Sequence, residues 1–455
     1  MNKSADFSHG NVFSMILRFS IPAAVSLLIT AIYNIVDRMF IGNFCGSTEL
    51  AALSVCFPLS FMMTAFGLMC SAGGSTLFTL FRGREENKKA NTAFGSAFLL
   101  TILFELLLTA ALLLFAGGFL KIFGVTATTY DFALEYYRIV SIGCLFQGLT
   151  FVFCDFVRVS GKPMLGMCVT GIGAVTNIVL DALFVAAFHW GVAGAAWATV
   201  IGQVISTIFG LYLIISKRTL VEVTKATFRI DKKISVNLLS CGFAFWIAQM
   251  AMGFIALVYN GRLGKYGGDT AISVYAVISS IMTFIIMPAS GISQGIQPLL
   301  GYNYSKSDGR RVREIFIKAS IFSVAVTVII WAVTELFPEA IINLFGGGAQ
   351  MLETGVPALR SNFIFAPVLG FVMLATTFFQ SIGKPKASSV ITAVRQIIIL
   401  VPAIYLLPMV LGLAGIFWAQ PVSDLLATIL SVVLIIREFR LLDQADRTTS
   451  QEVGK

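Results

Sequence analysis

Charge is scarce in this 455-residue sequence: Asp, Glu, Lys and Arg together make up 12% of it. Soluble domains carry about 25%, so a water-facing surface of ordinary composition is excluded. Histidine is scarcer, with only His9 and His189, and two such distant residues exclude a histidine-built metal centre. Seven cysteines occur with no C-x-x-C pair and no framework spacing. Most of them (Cys56, Cys70, Cys144, Cys154, Cys168 and Cys241) lie inside apolar blocks and read as small packing residues. No Gly-Lys pair is followed by Ser or Thr, so a Walker A phosphate loop is absent and ATP hydrolysis by this chain is not expected. Neither D-D-x-x-D nor H-E-x-x-H occurs, which removes two common catalytic clusters of membrane-embedded enzymes. A cleavable signal peptide is not expected either: the first apolar run is too long, and no small-residue cleavage site follows it.

What is present is apolar sequence. Hydrophobic residues make up 57% of the chain, and mean hydropathy is +0.88. They come in blocks of about twenty, the length that crosses a bilayer as a helix. The pattern predicts a polytopic all-α membrane protein with twelve spans, near 15–41, 50–80, 93–117, 132–157, 164–188, 191–216, 236–261, 270–301, 315–337, 357–381, 387–408 and 411–436. The net charge of +9 does not point to nucleic acid, because the basic residues sit in short loops between the blocks. With the N-terminus inside, basic residues favour the inner loops by about five to one, so both termini are expected in the cytoplasm and the protein in the inner (plasma) membrane.

The longest internal loop, "SKRTLVEVTKATFRIDKK", divides the spans six and six. The two halves resemble each other. "VRVSGKP" at 157–163 returns as "FQSIGKP" at 379–385, "GVAGAAWAT" at 191–199 as "GLAGIFWAQ" at 412–420, and "ALSVCFPLSFMMT" at 52–64 as "AISVYAVISSIMT" at 271–283. The displacements are 222, 221 and 219 positions. The expected organisation is an N-terminal six-helix bundle (1–216), a cytoplasmic linker (217–235), a pseudo-symmetric C-terminal bundle (236–436) and a tail (437–455). Because six is even, the repeat is parallel, an arrangement that secondary transporters use to bind substrate near the repeat interface.

Acidic residues inside hydrocarbon are costly, so each one needs a reason. Asp155 and Glu335 fall close to span ends. Glu105 lies in mid-span with nothing near it in sequence to claim it. Asp37 and Asp181 form a set: both lie roughly 27–29 Å along their helices, counted from Arg18 and Pro163. Asn34 stands three residues before Asp37 and Asn177 four before Asp181, so each amide shares a helix face with its carboxylate. Two carboxylates and two amides at one depth can ligate a sodium ion or share a proton. Local pairing of Asp37 with Arg38 is the alternative, but neighbours on a helix point about 100° apart, and Arg38 is better placed to reach the interface. The second half has no acid at either equivalent position. The scaffold therefore does not require these acids, and ion chemistry is expected in the first half. Arg395 and Asp424, in the eleventh and twelfth spans, lie at similar depth and read as an intramembrane salt bridge, with a substrate role as the alternative.

"SIPAAVSLLITAIYNIVDRMFIG", "VRVSGKP", "TNIVLDALF", "GVAGAAWAT", "GISQGIQPLLGYNYSK" and "RQIIILVP" together resemble the multidrug and toxic compound extrusion (MATE) family, in its DinF/MepA-like branch. The resemblance spans nearly the whole chain. It implies a V-shaped pair of six-helix bundles that exports varied, often cationic drugs in exchange for H⁺ or Na⁺, with no other cofactor. It places the family's first-helix aspartate on Asp37 and the helix-bending proline on Pro22. It places the branch's N-x-x-x-D cation motif on Asn177 and Asp181, with Thr199 beside it. If sodium is the ion, Asp37 and Asp181 are its carboxylate ligands. Two departures stand out: nothing matches the seventh-helix glutamate of the NorM-like branch, and Asp155 occupies a position where relatives often carry Asn. Asp155, Gln147, Met250, Met282 and Met287 are candidate substrate-cavity residues, with Met252 beside them, since methionine surfaces repack around varied ligands. The expected partners are small-molecule drugs or metabolites and the lipid bilayer, and a monomer is expected. The rivals are a lipid-linked precursor flippase of the same fold superfamily and an exporter dedicated to one metabolite.

Overall fold

A computed structural model describes residues 7–122, 125–344 and 349–453. The described residues form helices and no strands: α1 (Val12–Phe44), α2 (Ser47–Gly83), α3 (Asn87–Leu114), α4 (Ala116–Ile122), α5 (Tyr130–Val159), α6 (Pro163–Asp181) and α7 (Gly191–Ile215). Then come α8 (Lys232–Gly268) and α9 (Thr270–Ser305), joined at Gly268, whose φ of 61° breaks the helix. The rest are α10 (Gly309–Leu336), α11 (Pro338–Leu344), α12 (Ala349–Phe363), α13 (Ala366–Ser381), α14 (Pro385–Ala393), α15 (Leu400–Leu411) and α16 (Leu413–Val453).

Ten described helical stretches are long and apolar enough to cross a membrane, and eleven if a bent pair counts as one span. That pair is Met351–Phe363 with Ala366–Ser381, bent by 42°. Pro367 opens the second member, and a proline both lacks the N–H and disfavours helix in the residue before it. The expected twelfth span, 411–436, lies within α16, a 41-residue helix that runs on through the expected tail.

Repeated motifs coincide with repeated backbone. Gly191 and Gly412 open the two "G-x-A-G" helices with φ of 61° and 59°, and Gly161 and Gly383 turn the chain before "KP" with φ of 83° and 74°. These left-handed conformations suit glycine alone, and the proline that follows starts each next helix at its first turn.

The chain packs as two compact units. One spans residues 25–253; the other contains 7–24 and the chain from 254 onward. The division crosses α1 just after Pro22 and crosses α8 near its middle. In the second unit, α1 lies directly on α9. Ser20 Oγ donates to the Ile292 carbonyl at 3.4 Å, and a Cβ added to Gly295 would meet the Ser20 backbone at 2.6 Å. Gly291 abuts Ala24 in the same way. In the first unit, Gly73 of α2 meets the Leu238 carbonyl of α8, and Gly242 of α8 meets that of Met69. The first contact uses small residues four apart on both helices, the spacing that lets membrane helices approach backbone to backbone, and the second uses one glycine on each helix.

Also in the first unit, the segment before α8 is strapped to the bundle. Leu220 N–H donates to Ser160 Oγ at 3.0 Å, Glu222 N–H to Asn91 Oδ1 at 3.1 Å, and Val221 is buried.

Candidate functional site

Four of the oxygens singled out by spacing are buried in the first unit without any hydrogen-bond donor. They are Asp37 Oδ1 on α1, and Asn177 Oδ1, Asp181 Oδ1 and Asp181 Oδ2 on α6. Asp37 is 6% exposed, Asn177 2% and Asp181 0%. Asn177 spends its amide nitrogen on Thr199 Oγ1 of α7, at 3.2 Å, which leaves its carbonyl oxygen as the free group. Asn34 turns its amide nitrogen to the Thr30 carbonyl of its own helix, at 2.8 Å. The charge of Asp37 is felt at Asp181, so the two carboxylates share one electrostatic environment. Arg38 is exposed, although its charge also reaches Asp37.

Two features of this site escape the sequence. The field of Asp37 reaches the hydroxyls of Tyr33 and Tyr136. Tyr33 could have been found at four residues before Asp37; Tyr136 lies on α5, and only folding brings it near. The second feature is the backbone after Asp181. Residues Ala182–Ala187 continue α6 as a π-helical turn, an irregularity often found at functional sites. Above the carboxylates, toward the Phe44 end of α1, Ile41, Leu53, Val185, Val192 and Ala195 form an apolar cluster with Tyr136 and Phe40 packed against it.

The site is rich in acceptors and poor in donors. Unpaired buried oxygens cost about 1–3 kcal/mol each, more when charged. A bound proton or a hard cation would remove that cost, and an anion would add to it. Sodium is bound through oxygens, and two carboxylates, an amide oxygen and the Thr199 hydroxyl are groups of that kind. Among the described residues, no three His, Cys, Asp or Glu side chains gather into a metal cluster.

The remaining candidates lie elsewhere. Asp155 is fully engaged: Arg158 donates to Oδ1 at 2.8 Å and Ser71 to Oδ2 at 2.6 Å. Both oxygens are thus already bonded within the protein, which weighs against a substrate role. Gln147, Met250, Met282 and Met287 are half-buried and Met252 is exposed. Met250 and Met252 belong to the first unit, and Met282 and Met287 to the second. Pro22 stands inside a continuous α1, two residues before the point where packing passes from one unit to the other. Arg395 Nε donates to Asp424 Oδ1 at 2.7 Å, Gln420 adds a bond at 3.0 Å, and Ser423 donates to the Arg395 carbonyl. Arg395 itself sits in a second π-helical turn, Val394–Ile399.

Comparison with known proteins agrees with the fold. The MatE family model matches twice, at residues 22–183 and 245–406. The two matches are offset by 223 positions, close to the internal repeat. The multidrug export protein MepA of Staphylococcus saprophyticus is 25% identical over 450 residues, which cover 97% of each chain. Among solved structures, a MATE in the bent conformation superposes with a TM-score of 0.89 at 23% identity, over 96% of this chain and 97% of its own. An outward-facing multidrug resistance MATE family transporter of the MOP superfamily gives 0.90 at 22%, over 98% and 99%.

Proposed function

Because the chain belongs to the MATE family of membrane transporters, we propose that it is a secondary antiporter, exporting varied and often cationic organic compounds in exchange for H⁺ or Na⁺. The observation that carries this reading is the group of four donor-less buried oxygens on Asp37, Asn177 and Asp181. Holding both carboxylates ionised and dry costs several kcal/mol, on the order of 2.5–3.5 for each charge on the mildest scale. Loading with an external ion removes that cost and so favours the state in which the ion is enclosed. Release of the ion inward restores it.

Asn34 and Thr199 complete the oxygen set, and Tyr33 and Tyr136 supply hydroxyls at its edge. Pro22 gives α1 a point of flexure, since no N–H at this position ties it to the preceding turn. The first bundle (1–216) carries the ion and the second (236–436) completes the transport path, with 217–235 as the cytoplasmic connection and 437–455 as a cytoplasmic extension. Gln147 and the methionines at 250, 252, 282 and 287 are the deformable contacts for drug. The protein works as a monomer with both termini inside, and needs no ATP.

The test is transport in everted membrane vesicles, with either a proton or a sodium gradient imposed. D37N and D181N are expected to abolish gradient-driven efflux of a monovalent aromatic cation such as ethidium. The gradient that drives the wild-type protein identifies the ion. Undiminished transport by both variants overturns the reading.

A further inference from the structure

Glu105 is a fully buried carboxylate of the first unit that the ion cluster does not use. It stands in the middle of α3 with 0% exposure, and both of its oxygens lack any hydrogen-bond donor. Among the described residues it has neither an ion-pair nor a hydrogen-bond partner. The Gly67 amide of α2 is the nearest backbone group to act on it, without meeting the geometry of a hydrogen bond.

The surroundings are built around it. Where α2 and α5 touch, a Cβ on Gly67 would meet Gly148 Cα at 2.6 Å. The same added carbon would stand 3.0 Å from Glu105 Oε1, and one on Gly148 would stand 2.9 Å from it. Any side chain at either glycine would therefore displace the carboxyl. Thr101, one turn earlier on α3, places a third donor-less oxygen in the same interior. The titratable groups that face Glu105 are Cys70 on α2 and Cys144 on α5, both of which feel its charge.

A polar track leads away from this pocket along the α2–α5 contact. Ser71, one turn beyond Gly67, donates to the Phe151 carbonyl at 2.9 Å and to Asp155 Oδ2 at 2.6 Å. Asp155, seven residues and about 10 Å beyond Gly148, is itself paired with Arg158 and partly exposed. Ser71 and Asp155 are thus the next polar side chains along that contact toward the helix end.

The occupant follows from the chemistry. A hard cation takes about six or more oxygens, and here one carboxyl and one hydroxyl stand among thiols, glycines and the Phe151 ring. We propose that Glu105 is a second proton-carrying carboxyl of this transporter, separate from the Asp37–Asp181 cluster and in exchange with the Asp155 end of α5. Each turnover then moves one proton on and off Glu105, with Ser71 and Asp155 as the relay. The proposal rests on the transport reading only for the purpose of that proton.

Two measurements on the full-length protein in liposomes test it. The first is infrared difference spectroscopy across a pH titration. A protonated-carboxyl band that loses intensity as pH rises, and that is absent from E105Q, is the expected result. The second is ethidium transport against cytoplasmic-side pH. E105Q is expected to alter the pH profile that the wild-type protein shows, although Asp37 and Asp181 are intact, and S71A is expected to slow the exchange. If E105Q does not insert, E105D must shift the same band in frequency. A band that never titrates, or a wild-type pH profile in E105Q, overturns the proposal. Loss of the band in E105Q without any ethidium transport by the wild-type protein would instead sink the transport reading and leave the titration of Glu105 standing.

Discussion

Asn177 donates to Thr199 across 3.2 Å, and this one bond decides which end of the amide faces the acids. With its nitrogen held by α7, Asn177 presents a carbonyl oxygen, and the cluster stays a pure acceptor set. The helix contact between α6 and α7 and the polarity of the ion site are therefore the same interaction.

Replacing the hydroxyl tests that dependence. T199V keeps the shape and removes the acceptor, leaving a buried N–H₂ unpaired at a cost of about 1–3 kcal/mol. The amide is then free to turn a donor toward Asp181. The expected outcome is a rise of about tenfold in the ion concentration that half-drives efflux, equivalent to about 1.4 kcal/mol. T199S restores the hydroxyl and is expected to restore the affinity. Ion titrations of vesicle transport make the comparison.

Asp37 and Asp181 share one field, so their neutral variants should not add. Once D181N has removed one charge, the cost of ionising Asp37 falls and part of its role goes with it. The double variant D37N/D181N is expected to be no worse in transport than either single variant. All three are expected to melt at or above the wild-type temperature, because each removes an unpaired buried acid. Thermal unfolding of the purified protein and a double-mutant cycle on ion binding check both statements.

The legible parts of this protein were those fixed by period and cost. Span lengths and the parallel repeat follow from runs of apolar residues and from three displaced motifs. Arg395 and Asp424 stand out because hydrocarbon tolerates neither alone, and the structure joins them at 2.7 Å. Other features depend on distant contacts. Tyr136 is about a hundred residues from Asp37 in sequence, so no spacing rule connects them. Asp155 reads in sequence as a cavity candidate near a span end; Arg158 lies one turn on along the same helix, but Ser71, on α2, becomes a partner only once α2 and α5 pack. The two π-helical turns, one directly after Asp181 and one that holds Arg395, leave no mark in hydropathy, which does not register backbone geometry.

The seam between α1 and α9 is sensitive to a single carbon. G291V would drive a branched side chain into the Ala24 backbone, where even a Cβ has no room. Overpacking of this kind costs about 1–3 kcal/mol. G264A is the control, because its new Cβ would meet only Ile272 Cδ1, at an ordinary 3.6 Å. G291V is expected to lower the melting temperature and G264A to leave it unchanged, as read by thermal unfolding in detergent.

Arg395 and Asp424 supply the contrasting case, an acid inside the second unit that is ion-paired. Asp424 Oδ1 accepts from Arg395 and from Gln420, and Thr428 Oγ1 returns to the Asp424 backbone carbonyl at 2.6 Å. R395M leaves the carboxylate buried, 2% exposed, with only Gln420 for support. Breaking such a pair from one side costs about 3–5 kcal/mol, whereas replacing both members with apolar side chains of similar size is often neutral. R395M alone is therefore expected to lower the melting temperature sharply, and R395M/D424L to recover most of the loss. Because Arg395 already balances the charge of Asp424, the recovered double variant is expected to keep the wild-type dependence of transport on the driving gradient. A double variant that folds but is no longer driven by that gradient would move Asp424 from the scaffold into the transport cycle.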